Sequence, residues 1–438
     1  MKTPLRYWHV SGMMLSSLLI LAAVSFFNTG HPILDRLDFF SDVKAKVNSA
    51  SLEAIKAELH SQSDDKDLRD TLPADYDHHL DLFFKAIENL KDSEGTVHIA
   101  YFGDSQIEGD LLTADLRRSF QKKWGGNGVG WMPLTSIVAG FRTTIGHSYS
   151  NWNVTDILTK GKRQWPLGPS GHAFAAYPGS EVKYWNREYN FKKVQIIGHP
   201  QSSGEFEWDN GKSNGTFHWP DSIHPHFAEE IIQQNASKFS LKCTQGDPIL
   251  YGMNFENGNG VYVDNFSFRG NSGTSLSQLD QSMLANIDSL IPYRLVIVHY
   301  GLNVIGHGVT DYSNYQKSME RTLNHVKKCF PKASILLIGM TDKGYRNKGT
   351  WESDPSVLYL LKAQKEMSEN QDIAFFSLYD AMGGEGSIVS WVQDSLPKLA
   401  NADYTHMNHR GSKKLASYIE QYINQSYKVY LENKKHEQ

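Results

Sequence analysis

The chain has 438 residues, 40% of them hydrophobic and 12% aromatic, enough for two well-packed domains. A formal net charge of −4 with scattered Lys and Arg excludes a phosphate-tracking surface, so no nucleic-acid partner is expected. Only Cys243 and Cys329 occur, in different predicted units, which argues against a disulfide framework and predicts two free thiols.

In chain order, Lys2 and Arg6 precede an apolar run from Met13 to Phe27. This reads as a signal peptide or an uncleaved signal anchor within residues 1–30. The bulky Phe26 and Phe27 and the lack of a small-x-small cleavage site favour the anchor, with the remainder of the chain exported. Residues 31–95 read as a stem, closing with an amphipathic helix from Tyr76 to Leu90.

The most informative stretch follows, TVHIAYFGDSQIEGD. An apolar run, Val97 to Phe102, stops at Gly103-Asp104-Ser105, and Leu111, Leu112 and Leu116 beyond it have helical spacing. The expectation is a buried strand, a turn that exposes the Ser105 hydroxyl, and a helix N-terminus favouring a developing oxyanion. Gly-Asp-Ser alone also fits an ordinary helix cap.

Residues 133–259 then change character, with short alternating stretches such as Lys192 to Ile197 and Phe239 to Lys242 among turn residues. They predict an inserted β-sandwich or jelly roll. Trp152, Trp165, Tyr184, Trp185, Trp208 and Trp219 are candidates for stacking on sugar rings or for ordinary core packing. The pairs His78-His79 and His224-Pro-His226 lack metal-site spacing and read as surface histidines, and no metal or cofactor is expected.

From 260 to 430 an α/β rhythm returns. Strands are expected near 261–268, 294–299, 334–339 and 373–378, and helices near 275–289, 312–329, 354–369 and 409–426. Strands separated by helix-length segments require parallel pairing, hence a three-layer α/β/α sheet with its site at the carboxyl ends of the strands. At the far end, Asp403-Tyr-Thr-His406 offers from one loop a general base and its orienting carboxylate. His409 is a rival base, although its place at a helix start suits capping better.

With these blocks in hand, the sequence resembles the SGNH (GDSL-type) hydrolase superfamily. The resemblance, from about Thr96 to Tyr427, assigns 96–132 and 260–430 to one hydrolase domain in two parts, with a flavodoxin-like parallel sheet. It implies Ser105 as nucleophile, His406 as base and Asp403 as its partner. It also implies an oxyanion hole of the Ser105 amide, the Gly273 amide and the Asn303 side chain, with Gly270 the alternative glycine. Val304 stands where the family often has Asp, which removes a bracing carboxylate and leaves the Asn303 donor. Asn408 and Gly411 also fall where the family tends to have them. The wording FGDSQIEGD with a long β-rich insertion is similar to bacterial esterases of O-acetylated cell-wall or surface glycans. The expectation is an O-acetylesterase in the cell envelope acting on an acylated polysaccharide or peptidoglycan. An O-acetyltransferase using the same triad, and a non-catalytic glycan-binding or assembly protein keeping the fold, are the alternatives.

Overall fold

The computed structural model describes residues 53, 55–56, 78–92, 94–200, 202–219 and 228–436. The apolar run at 13–27, most of the stem and His224-Pro-His226 lie outside the described residues. Within them, no helix is long and apolar enough to cross a membrane.

The chain enters through α1 (Asp81–Asp92), β1 (Thr96–Gly103) and α2 (Thr113–Trp124). It continues through β2 (Gly130–Met132), β3 (Ile145–Ser150), β4 (Asn153–Asp156), β5 (His172–Ala175), β6 (Glu181–Asn186), β7 (Phe191–Gly198) and β8 (Gly204–Asp209). Then come β9 (Asn214–Trp219), β10 (Ala228–Ala236), β11 (Lys238–Gly246) and β12 (Ile249–Glu256). The α/β part resumes with β13 (Gly260–Ser267), α3 (Gln281–Ile287), β14 (Tyr293–His299), α4 (Ser313–Cys329) and β15 (Ser334–Gly339). A hairpin, β16 (Gly344–Asn347) and β17 (Thr350–Ser353), leads into α5 (Ser356–Gln371), β18 (Ala374–Ser377), α6 (Leu378–Met382), α7 (Ser387–Gln393) and α8 (His409–His436).

The hydrolase sheet has the order β13-β1-β14-β15-β18, and all of its pairings are parallel. Its strands are apolar on both faces because helices cover both. Ala100 and Phe102 of β1 point into one core with α3, α4 and α5, while Ile99 and Tyr101 point into the other with α1, α2, α6, α7 and α8. This is the expected three-layer α/β/α architecture. The expected helix at 275–289 is broken instead, into a 3-10 turn at Thr274–Gln278 and α3, which Asp280 restarts by accepting from the Met283 amide at 2.8 Å.

The insertion is a β-sandwich. One antiparallel sheet runs β10-β7-β12-β5-β4 and the other β3-β6-β11-β8-β9, and their inner faces share a core that includes Phe174, Ile196, Met253, Tyr184, Phe206 and Phe239. Strand β2, inside the stretch read as hydrolase, pairs with β12 and extends the insertion's sheet. The outer face of that sheet also enters the hydrolase core, since Ile197, Ile249 and Tyr251 pack in the cluster that holds Phe102, Phe266 and Leu337. Both cysteines are free and buried.

Of the aromatic candidates for sugar stacking, Trp219 and Tyr184 are fully buried in the sandwich core. Trp152 and Trp208 pack against that core, and Trp165 packs against the hydrolase core. Trp185 is substantially exposed, and it crosses Gly146 so closely that a Cβ there would overlap the indole. Packing therefore accounts for five of the six.

Candidate active site

Strand β1 ends at Gly103, where a side chain does not fit. A Cβ would lie 2.9 Å from Ile107 Cδ1 and 3.2 Å from the His299 carbonyl. The chain then turns sharply, presenting Ser105 at the carboxyl edge of the sheet. No helix N-terminus sits directly behind Ser105, contrary to the sequence expectation. A 3-10 turn at Glu108–Asp110 intervenes, Gly109, Asp110 and Leu112 take left-handed backbone angles, and α2 begins only at Thr113. Apolar periodicity locates the helix but not the irregular turn in front of it.

That turn is pinned by Asp110. Its carboxylate receives the Arg117 guanidinium through two bonds of 2.8 and 2.9 Å, the Thr113 hydroxyl at 2.8 Å and the Thr144 hydroxyl of the insertion at 3.0 Å. Burial alone would raise the Asp110 pKa, but Arg117 and Arg142 outweigh it and hold the carboxyl well below the usual range.

Ser105 Oγ lies 3.0 Å from His406 Nε2, and His406 Nδ1 lies 2.8 Å from Asp403 Oδ2. The structure thus brings together three side chains separated by up to 301 residues, in hydrogen-bonding sequence. Asp403 also shapes its own loop, its Oδ1 accepting from the amides of Thr405 and His406 at 3.0 Å each. Burial pushes the Asp403 pKa up, but those bonds and the His406 ring together bring it below the ordinary carboxylate range. The loop is braced by the hairpin: Gly344 donates its amide to the Tyr404 carbonyl at 2.8 Å, and Trp351 stacks on Tyr404 with ring centroids 4.0 Å apart. Asn408 Oδ1 accepts from the amides of Arg410 and Gly411, capping α8. His409 starts α8 on the exposed surface, so of the two candidate histidines His406 is the one in contact with Ser105.

The expected oxyanion donors converge, but two of them are engaged. Asn303 Nδ2 donates to Asp104 Oδ2 at 3.0 Å and to the Asn271 carbonyl at 3.1 Å. The Gly273 amide donates to Asn271 Oδ1 at 2.8 Å, so in this arrangement it is not open to an oxyanion. The amides of Ser105 and of the alternative glycine Gly270 have no acceptor among the described residues. Val304, in place of the family's Asp, packs against the hydrolase core.

Asp104 and Asn271 are the residues sequence reasoning undervalued. Asp104 is 1% exposed, accepts the Gln106 amide on one oxygen and Asn303 on the other, and so ties the nucleophile turn to the Asn303 loop. Burial raises its pKa to about 6, against the opposing effects of the Gln106 amide, the His406 charge and Asn303. Gln106 continues the tie, its side-chain amide donating to Thr341 at 2.8 Å beyond β15. The only signal for Asp104 was its place beside Ser105, which a simple cap also explains. Among the described residues no group of acids, His and Cys could hold a metal ion. His78 and His79 pair instead with Asp81 and Asp372.

A five-stranded parallel sheet between two helical layers, with Ser105, Asn303 and His406 gathered at its carboxyl edge, is the three-layer arrangement that the resemblance to the SGNH hydrolases implies. Among solved structures, a peptidoglycan O-acetylesterase shares this fold with the insertion included, at a TM-score of 0.64 and 19% identity, over 80% of this chain and 96% of that one. Family-two carbohydrate esterases from Cellvibrio japonicus and Clostridium thermocellum match at TM-scores of 0.27, with 9% and 10% identity. They cover 65% and 64% of this chain and 98% and 100% of their own. No protein-family model matches the sequence, and no curated protein matches it.

Proposed function

We propose that this chain is a serine carboxylic ester hydrolase that removes O-acetyl groups from a glycan of the cell envelope. The observation that carries the reading is the continuous hydrogen-bonded relay from Ser105 through His406 to Asp403. The fold shared with a peptidoglycan O-acetylesterase supports the choice of an acetylated glycan as substrate.

His406 Nε2 takes the Ser105 proton as Oγ attacks the acetyl carbonyl, and Asp403 stabilises the imidazolium that forms. The oxyanion is held by the Ser105 amide, joined by Asn303 Nδ2 once one of its hydrogens leaves the Asn271 carbonyl and by the Gly273 amide once the Asn271 side chain moves. Collapse expels the sugar oxygen, which takes the proton from His406. Water, deprotonated by His406, then attacks the acetyl-enzyme and releases acetate. The His406 and Asp403 side chains are 40% and 49% exposed, so water has access to the base. The apolar run Met13 to Phe27 supports export with retention at the membrane.

The test is hydrolysis of p-nitrophenyl acetate and acetate release from O-acetylated glycans. Activity is expected to vanish in Ser105→Ala, and a fluorophosphonate probe is expected to label Ser105. Full activity in Ser105→Ala, or labelling of a different serine, would overturn the assignment.

A further inference from the structure

A cleft of about 260 Å³ is built from the two chain segments that leave the catalytic pair. The turn after Ser105 supplies Gly109, Asp110 and Leu111, and the helix start after His406 supplies Arg410 and Lys413. Thr143 of the insertion closes another side. Gly109 is also the seat of Phe141: it takes a φ of +70°, and a Cβ there would lie 3.0 Å from the Phe141 Cβ. Phe141 is nevertheless 68% exposed, which leaves a bare aromatic beside the nucleophile turn.

The charges of the cleft do not balance. Its acids are already matched, Asp110 by Arg117 and Asp115 by Arg118, and Arg118 is matched again by Glu188. Arg410 and Lys413 are exposed and have no acidic partner among the described residues. Two unmatched cations lining a cavity between the segments that follow Ser105 and His406 constitute a place for an anion, and a guanidinium offers a carboxylate paired, charge-assisted hydrogen bonds. We propose that this cleft takes a carboxylate borne by the acetylated glycan, so that the preferred substrate is a carboxylated sugar chain rather than a neutral one. This rests on the esterase reading and narrows it: Phe141 offers a face to the sugar ring, and Arg410 with Lys413 hold the acid substituent while the acetyl group reaches Ser105.

The experiment compares an O-acetylated muramyl oligomer, which carries carboxylates, with an acetylated xylo-oligomer, which is neutral, using the full-length protein and Arg410→Gln/Lys413→Gln. The double variant is expected to lose about tenfold more kcat/KM on the muramyl oligomer than on the xylo-oligomer. The preference of the unmodified protein is expected to shrink as salt is raised, because exposed charge pairs are screened. Equal losses on both substrates, or a preference indifferent to salt, would overturn the proposal. Calorimetric binding of the deacetylated muramyl oligomer is read independently of turnover. Weaker binding in the double variant keeps the cleft even if Ser105→Ala shows that the esterase reading is wrong, and unchanged binding removes it.

Discussion

At the scale of single residues, Asp403 and Asp104 flank the Ser105–His406 pair with opposite electrostatics. Asp403 is about half exposed and held below its ordinary pKa, so it stays ionised wherever a histidine base works. Asp403→Asn is expected to keep the fold and lower kcat by about tenfold to a hundredfold, less than His406→Ala, because a solvated carboxylate orients and stabilises the imidazolium less than a buried one does. Steady-state kinetics of the two variants settles the order. Asp104 is buried and held up at about 6. Turnover needs His406 neutral and Asp104 ionised, since a protonated Asp104 ceases to be a full acceptor for Asn303. Below about pH 6 kcat/KM is therefore expected to fall more steeply with pH in the unmodified protein than in the residual activity of Asp104→Asn. Equal steepness in both would separate Asp104 from the chemistry.

Among the elements, the β16–β17 hairpin matters most to the site. It occupies the connection after β15, where no strand was predicted from sequence, and buttresses the base loop through the Gly344 amide and the Trp351–Tyr404 stack. Gln393 completes the brace by donating to the Tyr404 hydroxyl at 2.8 Å. A stacked aromatic pair contributes about 0.5–1.5 kcal/mol beyond its buried area, enough to hold a loop in register. Trp351→Ala is expected to lower kcat several-fold, with KM for p-nitrophenyl acetate little affected and activity regained in Trp351→Phe. Failure of the Phe variant to restore turnover would mean that the hairpin does not work through the stack.

For the whole molecule, the decisive feature is the seam between insertion and hydrolase. His98 of β1 is fully buried there, with Nδ1 2.8 Å from Asp264 Oδ2 of β13 and Nε2 2.7 Å from Glu256 Oε1 of β12. Tyr293 donates to Asp264, Lys193 reaches the other oxygen of Glu256, and Tyr262 stacks on the imidazole. Burial would lower the His98 pKa, but the two carboxylates reverse this and hold it at about 9. A histidine bound more tightly to its proton in the folded state stabilises the fold fully below 6.5, and that contribution is lost as pH rises through about 9. The amount is about 3 kcal/mol at most. Urea unfolding is thus expected to weaken between pH 6.5 and 10, and His98→Gln to flatten that dependence. His98→Ala, which leaves two buried acids without their cation, is expected to cost about 3–5 kcal/mol. A pH-independent midpoint in the unmodified protein would show that His98 is not charged in the fold.

The sequence by itself determined the parallel sheet and the β-rich character of the insertion, and it singled out Ser105, Asn303, Asp403 and His406 as candidates. Each is written locally: β1, β14 and β15 are apolar runs at strand length, Gly103 marks a close approach, and Asp403 and His406 sit together before a helix. Only the tertiary structure decided what binds these parts to one another. Asp104 meets Asn303 across 199 residues, and Asn271 engages the Gly273 amide through a rotamer that no spacing reveals. It is likewise tertiary packing that merges the two domains, because Tyr251 and Phe102 enter one core through the faces of different sheets. Periodicity records which face of an element is buried, whereas the partner it is buried against depends on how distant segments are brought together by the fold.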